Sequence, residues 1–527
     1  MADGAPDESL GYAAEPRMPS HAFAPPRSPG PFTLDTRSLA LGRLLLGALL
    51  LLDLGLRATD LAAHYTDAGV LPRSEFRPEA WDFLWSLHAF GGSWAFEAAL
   101  LVVHALFAVA MLVGFRTFWA TLGSAALLVS LHGRNPLLRD GQDDLLRVLL
   151  VWACLLPWGA RWSLDRLRGR VWHPLTGVVG DRVLGPATVG WVLQLLLVYW
   201  TSAVAKLESP WWTSGAALSN AFAVGRYETP LGQWLRGFPS VLEVATFAVL
   251  GFELLAPFLL LFAGTWRPAR ALGVGAFVAM HLGLALLLRL GLFPAVAIAA
   301  WLTLLPPSTW ESLEDWLGVG SVGGAFAPEL GARLPRGRPF LAALLVAMGL
   351  ALVLLFNLTV VAPRVHVPRA AVWAARALGL QQFWSLFSPN PVNAFVLTDG
   401  WVELVAELED GSEVDVLAAG VPVRSTRPPN VADTFTNRRW RHYVANVLTP
   451  WPLRSEQRVT VEESRAAWLR WRCVEWNTDA PSGRRARQLR LVWMQQRLGH
   501  PEDVARPEIL SREVCPEASV SGHTGLP

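Results

Sequence analysis

Charge is the first thing this sequence lacks. Only 17% of its 527 residues are Asp, Glu, Lys or Arg, against about 25% in a soluble chain. With 52% hydrophobic residues and a mean hydropathy of +0.33, that shortage excludes an ordinary soluble globular protein. The formal net charge of +2 and the scattered basic residues exclude a nucleic-acid partner. Cysteine is nearly absent, with three copies, too few for a disulfide-built scaffold. Internal repeats, a phosphate loop, a CxxC pair and an HExxH helix are missing as well. The sharpest absence is lysine: of 45 basic residues, 44 are arginine and one, Lys206, is lysine. Arginine keeps its proton inside proteins, whereas a desolvated lysine can release one.

What the sequence does have is long apolar runs. Nine segments come close to spanning length: Leu39–Leu56, Phe96–Val113, Phe118–Leu131, Leu145–Trp158, Val189–Ala205, Val241–Phe262, Ala271–Leu288, Leu292–Leu305 and Phe340–Val361. The third, fourth and eighth are short, and the ninth has no charge over its length. Twenty-six tryptophans suit rings anchored at membrane interfaces. Residues 1–34, rich in Pro, Ala and Gly, read as a disordered tail, not a signal peptide. Arginines concentrate in the tail (Arg17, Arg27, Arg37), after the fourth segment (Arg161, Arg166, Arg168, Arg170, Arg182), after the sixth (Arg267, Arg270) and before the ninth (Arg333, Arg336, Arg338). The 57–93 loop instead offsets its arginines with Asp60, Asp67, Glu75, Glu79 and Asp82. The positive-inside rule puts the N-terminus in the cytoplasm and the C-terminal domain outside. The expected organisation is therefore an all-α polytopic bundle of about nine spans with a smaller extracytoplasmic α+β domain. Its parts are the tail 1–34, a transmembrane domain 35–310, a cytoplasmic linker 311–339, a last helix 340–362 and an outer domain 363–527.

In the outer domain Trp401–Leu408 alternates as a strand, Asp410-Gly411 marks a hairpin turn and Val414–Leu417 returns. Arg438–Val447 and Arg465–Trp471 read as amphipathic helices. Cys473 and Cys515 lie here, and a disulfide and two free thiols are equally compatible with the spacing. Cys154 reads as a packing residue in the fourth segment.

Four blocks carry a resemblance: His64-Tyr-Thr-Asp-Ala-Gly-Val-Leu-Pro-Arg73; Ser130-Leu-His-Gly-Arg-Asn-Pro136 with Gly141-Gln-Asp-Asp-Leu-Leu-Arg147 and Pro157-Trp-Gly-Ala-Arg-Trp-Ser163; Val198-Tyr-Trp-Thr-Ser-Ala-Val-Ala-Lys-Leu207 with Trp211-Trp212 and Gly215; and His281 followed by Gly291-Leu-Phe-Pro294. Together, over about 50–310, they resemble the horizontally transferred transmembrane (HTTM) domain family, which includes the membrane part of vitamin K-dependent γ-carboxylases. Phe387-Ser-Pro-Asn-Pro391, Asn437-Arg-Arg-Trp-Arg441 and Trp476-Asn477 resemble the tail of bacterial members. The resemblance implies a quinone-dependent peptidyl-glutamate carboxylase, a lyase in the bacterial inner membrane. It would use reduced vitamin K or a menaquinone-like hydroquinone, oxygen and carbon dioxide, with a Glu-containing peptide or protein as partner and no metal. The chain departs in being shorter than the animal enzymes and in having Ala205 where they carry a second lysine. The rival class is a non-catalytic relative in maturation, immunity or transport, because bundles host many functions.

By resemblance Lys206 is the base and His281 its supporting catalytic residue, with Glu253, Tyr199 and Trp211 as cofactor contacts. Lys206 follows 17 uncharged residues, so its amine reaches the apolar zone, where desolvation favours the neutral form. The competing role is an interfacial lysine whose stem snorkels, or one paired with Glu208 or Glu228. His281 is isolated among apolar residues, which points to a cavity or to a hydrogen bond with a neighbouring helix. His104 reads as a packing or hydrogen-bonding residue, and Glu253 as a quinone contact or a charge partner. Asp53 and Arg57, four apart, are expected to pair. Asp143, Asp144 and Arg147, with Arg134 and Asn135, line the mouth of a cavity or make solvated helix-cap pairs. His64, Tyr65 and Asp67 only loosely resemble a metal half-site.

Overall fold

A computed structural model describes residues 30–75, 85–176, 181–262, 267–318, 339–362, 364–388, 398–423, 426–450, 455–481 and 483–516. Arg17, Arg27, Glu79, Asp82, Arg333, Arg336, Arg338 and the 389–391 part of the tail motif lie outside these residues.

The nine apolar segments form nine helices: α1 Thr36–Ala58, α2 Trp94–Val113, α3 Thr117–Arg134, α4 Gly141–Ala153, α5 Pro186–Leu207, α6 Pro239–Phe262, α7 Arg267–Leu287, α8 Phe293–Leu302 and α9 Pro339–Val361. Six of them, α1, α2, α5, α6, α7 and α9, are long and apolar enough to cross a membrane. The other three have 18, 13 and 10 residues (α3, α4, α8). At about 1.5 Å per residue, α4 and α8 fall well short of a hydrocarbon core of about 30 Å. Starts and stops follow local chemistry. Asp35 and Ser93 cap α1 and α2 through their side chains. Pro186 and Pro294 occupy the first turns of α5 and α8, where no amide hydrogen is needed. Gly291 turns with φ +65°, and a Cβ there would strike the Arg438 side chain. That double demand explains the glycine of Gly291-Leu-Phe-Pro294.

Helix ends sort into two faces. On one, β1 (Leu34–Asp35) pairs antiparallel with β2 (Arg182–Val183). Arg37 bonds Asp35 at 2.8 Å and Glu314 at 2.9 Å, and Arg270 donates to the carbonyls of Leu304 and Thr33 at 2.7 Å. The starts of α1, α3, α5 and α7 and the ends of α2, α4 and α8 gather there, beside a short helix, Pro307–Trp316, in the expected linker. The opposite face carries the C-terminal domain.

That domain is a five-stranded antiparallel sheet, ordered β5-β4-β3-β6-β7. Its strands are β3 Thr398–Leu408, β4 Glu413–Asp415, β5 Val421–Pro422, β6 Ala486–Arg497 and β7 Arg506–Val514. Helices α10 Arg369–Leu378, α11 Arg438–Val447 and α12 Ser455–Asp479 accompany it. The expected hairpin and both expected helices are present. The Arg- and Gln-rich β6 and the charged β7 were not read from the sequence, because in β6 the polar residues hide the alternation of Leu489, Leu491 and Trp493. Cys473 on α12 and Cys515 after β7 form a disulfide across 42 residues, and Cys154 is free.

Candidate functional site

α5 carries the site. Its buried face presents Tyr199, Ser202 and Lys206 at the i, i+3, i+7 spacing that puts them on one side of a helix. Lys206, 3% exposed, bonds Glu253 Oε2 of α6 at 2.5 Å, and its Nζ lies 4.4 Å from the centroid of the Trp212 ring. The expected alternative partners do not serve: Glu228 accepts from Gln233 instead. Trp212 provides the aromatic face under the ammonium, while Trp211 packs with Ala217, Ala223 and Leu498. A buried ion pair offsets the desolvation of both charges only while both partners remain.

Two turns below, Tyr199 Oη lies 2.7 Å from His281 Nε2, and Trp301 Nε1 donates to the same oxygen at 2.6 Å. Tyr199 Oη accepts from Trp301, and with His281 Nε2 it either donates or accepts, according to the histidine tautomer. His281 Nδ1 is buried and has no hydrogen-bond partner among the described residues. Phe277 stacks on Trp301 at 3.7 Å and Phe293 meets His281 edge-on at 5.9 Å. Thus Lys206 and His281 belong to separate contact sets joined along α5. The hydrogen-bond reading of His281 holds for Nε2. His104 is fully buried in α2, as a packing residue would be.

A second polar set links the bundle to the C-terminal domain. Asp53 and Arg57 pair at 2.7 Å as expected. Arg57 also reaches Asp143 at 2.6 Å and Tyr65 Oη at 2.6 Å. From α11, Arg438 meets Asp53 and Asp140, each at 3.1 Å, Arg439 clasps Asp53 and Asp143, and His442 meets Asp140 at 3.0 Å. Arg439 and Arg57 both face the buried Asp143 carboxylate and offset its desolvation. Asp143, Asp144, Arg147, Arg134 and Asn135 are buried, so they neither line an open mouth nor form solvated caps. Arg147 instead donates to the carbonyls of Gly379 and Gln381 at 3.0 and 2.5 Å. The sequence showed both halves of this set, but nothing local announces a partner some 300–380 residues away. The loose metal half-site dissolves: His64 packs on Trp440 at 4.5 Å, Tyr65 accepts from Arg57, and Asp67 pairs with Arg73 at 2.7 Å.

On the face that carries the C-terminal domain a cleft of about 450 Å³ opens between the chain around Glu228–Arg236 and that domain, with Arg236, Arg427, His500 and Ala223 on its walls. Ala223 packs in the same cluster as Trp211 and Trp212.

Residues 145–310 match the family model of the HTTM domain. The matched stretch runs from α4 through α8 of a mostly helical chain with six helices long and apolar enough to cross a membrane, and Tyr199, Lys206, Trp211, Glu253 and His281 all fall within it. No curated protein and no solved structure matches the chain.

Proposed function

We propose that this protein is an integral membrane enzyme of the vitamin K-dependent γ-carboxylase type, coupling oxidation of a reduced quinone to carboxylation of peptide glutamate. One observation carries the reading. The sole lysine of the chain is buried at a helix end, held by a carboxylate at 2.5 Å over an aromatic ring. The residues around it fit a hydroquinone head, since they offer ring faces and buried unpartnered polar atoms, Ser202 Oγ and His281 Nδ1. When bound, such a group would supply, with oxygen, the strong base that removes a glutamate γ-proton before carbon dioxide adds.

The chain's own part is proton handling. Shifting the Lys206 proton along its bond to Glu253 leaves a neutral amine beside a neutral carboxyl, a change that a low-dielectric site favours. The amine then accepts a proton from a bound hydroxyl. Tyr199 holds His281 by its Nε2, which leaves the buried Nδ1 to bond a ligand. The cleft at Arg236 and Arg427 suits an acidic peptide arriving from outside.

The alternation of the helix ends supports nine crossings, with α4 and α8 completed by their flanks. The disulfide supports an extracytoplasmic C-terminal domain, because such bonds persist in oxidising compartments. With the Arg-rich face inside, the reading is a bacterial inner-membrane protein with a cytoplasmic N-terminus.

The test is incorporation of labelled carbon dioxide into Glu-containing peptides with reduced quinone and oxygen. Lys206→Arg and Lys206→Ala should each lose about 10²–10⁴-fold, and a small primary amine should restore part of the alanine variant's turnover. A fully active Lys206→Arg protein would falsify the base assignment. The second reading, a non-catalytic membrane protein in maturation, immunity or transport, draws on the same contact. A carboxylate bonded to Lys206 stabilises the ammonium, as a purely structural pair requires.

A further inference from the structure

The ninth helix contributes a residue that the HTTM match does not reach. α9 is apolar throughout its buried stripe of Ala342, Val346 and Val353, but the next member of that stripe is Asn357. Asn357 is 4% exposed, and neither its Oδ1 nor its Nδ2 has a hydrogen-bond partner among the described residues. An amide desolvated in this way is costly for each unmet group, and buried polar atoms in membrane helices mark functional positions.

Its level in the bundle follows from one shared neighbour. The Trp152 indole lies against both Gly190 of α5 and Gly349 of α9, and its Nε1 donates to Gln194 at 3.1 Å. Both helices run from the β1–β2 face toward the C-terminal domain. Eight residues beyond Gly349, about 12 Å along the axis, is Asn357; eight beyond Gly190 and Gln194 are Val198 and Ser202. Asn357 therefore stands level with the turn of α5 that holds Tyr199 and Ser202. There the Ser202 Oγ is also buried and unpartnered, and His281 Nδ1 faces the same condition across Tyr199.

We infer that Asn357, with Ser202, forms a head-group site for a membrane-soluble ligand. Its amide would donate to one oxygen of the ligand and accept from a hydroxyl, and the apolar tail would leave between helices. The ligand class is an aromatic hydroquinone, so the inference rests on the function proposed above. It adds a specificity-determining residue from a helix outside the matched domain.

The experiment measures binding apart from turnover. The solubilised full chain is titrated with 2-methyl-1,4-naphthohydroquinone under anaerobic conditions, and its melting temperature is recorded with and without the ligand. Asn357→Leu keeps the volume and removes both unmet groups. It should raise the ligand-free melting temperature while weakening binding about 5–10-fold, the worth of one hydrogen bond. Ser202→Ala, a milder change, should move both quantities in the same directions. Equal affinity in wild type and Asn357→Leu overturns this inference and leaves the function reading standing. A wild-type chain that binds no hydroquinone overturns both. A ligand-free protein that loses stability in Asn357→Leu, with affinity kept, makes the residue a packing element.

Discussion

At the scale of single residues, the Lys206–Glu253 contact decides between chemistry and architecture, and two kinds of change separate them. Glu253→Gln strands an ammonium in a buried site and should cost about 3–5 kcal/mol of stability. Lys206→Met combined with Glu253→Leu removes both charges and should recover most of that loss. Denaturation of the solubilised variants reads the cycle; a double variant as unstable as the single one would show that the side chains matter for shape rather than charge. His281→Gln retains hydrogen bonding but cannot titrate, so carboxylation should fall while expression and melting hold. Lys206 was legible from composition, because a lone lysine among arginines stands out. Its partner was not. Glu253 is 47 residues away on another helix, and Glu208 and Glu228, nearer in sequence, looked equally good.

At the scale of elements, α11 is tied to the bundle by a balanced buried set: Asp53, Asp140 and Asp143 against Arg57, Arg438 and Arg439. Arg439→Ala leaves two carboxylates without their strongest neighbour, and undocking of the C-terminal domain should become easier by about 3–5 kcal/mol. Limited proteolysis of wild type and variant measures it. Acid acts here through histidine first. Burial against Trp440 pushes His64 down from 6.5 to about 4, so an exposed His64 takes up a proton near pH 6.5 while the docked one does not. The contribution is present above that range, declines as pH falls from about 6.5, and is fully lost near 4, at most about 3 kcal/mol. The depressed carboxylate of Asp140 works in the same direction at lower pH: its contribution is present above the unfolded value near 3.8 and is lost only as pH falls below it. Trp440 fluorescence that stays flat between pH 7 and 5 would remove His64 from the account. The helix itself was readable, since Arg438–Val447 is amphipathic. What it grips was not, because the apolar period of a helix reports a buried face and says nothing about which acidic turn lies beneath it.

For the whole molecule, cysteines placed at Leu167 and Ser412, on opposite faces, should label from opposite sides of an intact cell membrane; labelling of both from outside would overturn the nine-crossing topology. Opening the Cys473–Cys515 link by Cys473→Ser should lower C-terminal domain stability by about 2–4 kcal/mol. Helix count and order could be read in the sequence because apolar runs are local. The sheet was half legible, since β3 and β4 alternate plainly while the charged residues of β6 and β7 obscure their period. The composition also has a practical consequence. Apart from the amino terminus, Lys206 is the chain's one primary amine, and the structure seals it between α5, α6 and Trp212. A membrane-permeant acylating ester therefore has a single internal target, and its rate of attachment is a clock for how often the bundle opens there. Peptide or hydroquinone that slows this clock occupies the site, and one that quickens it loosens the helices around it.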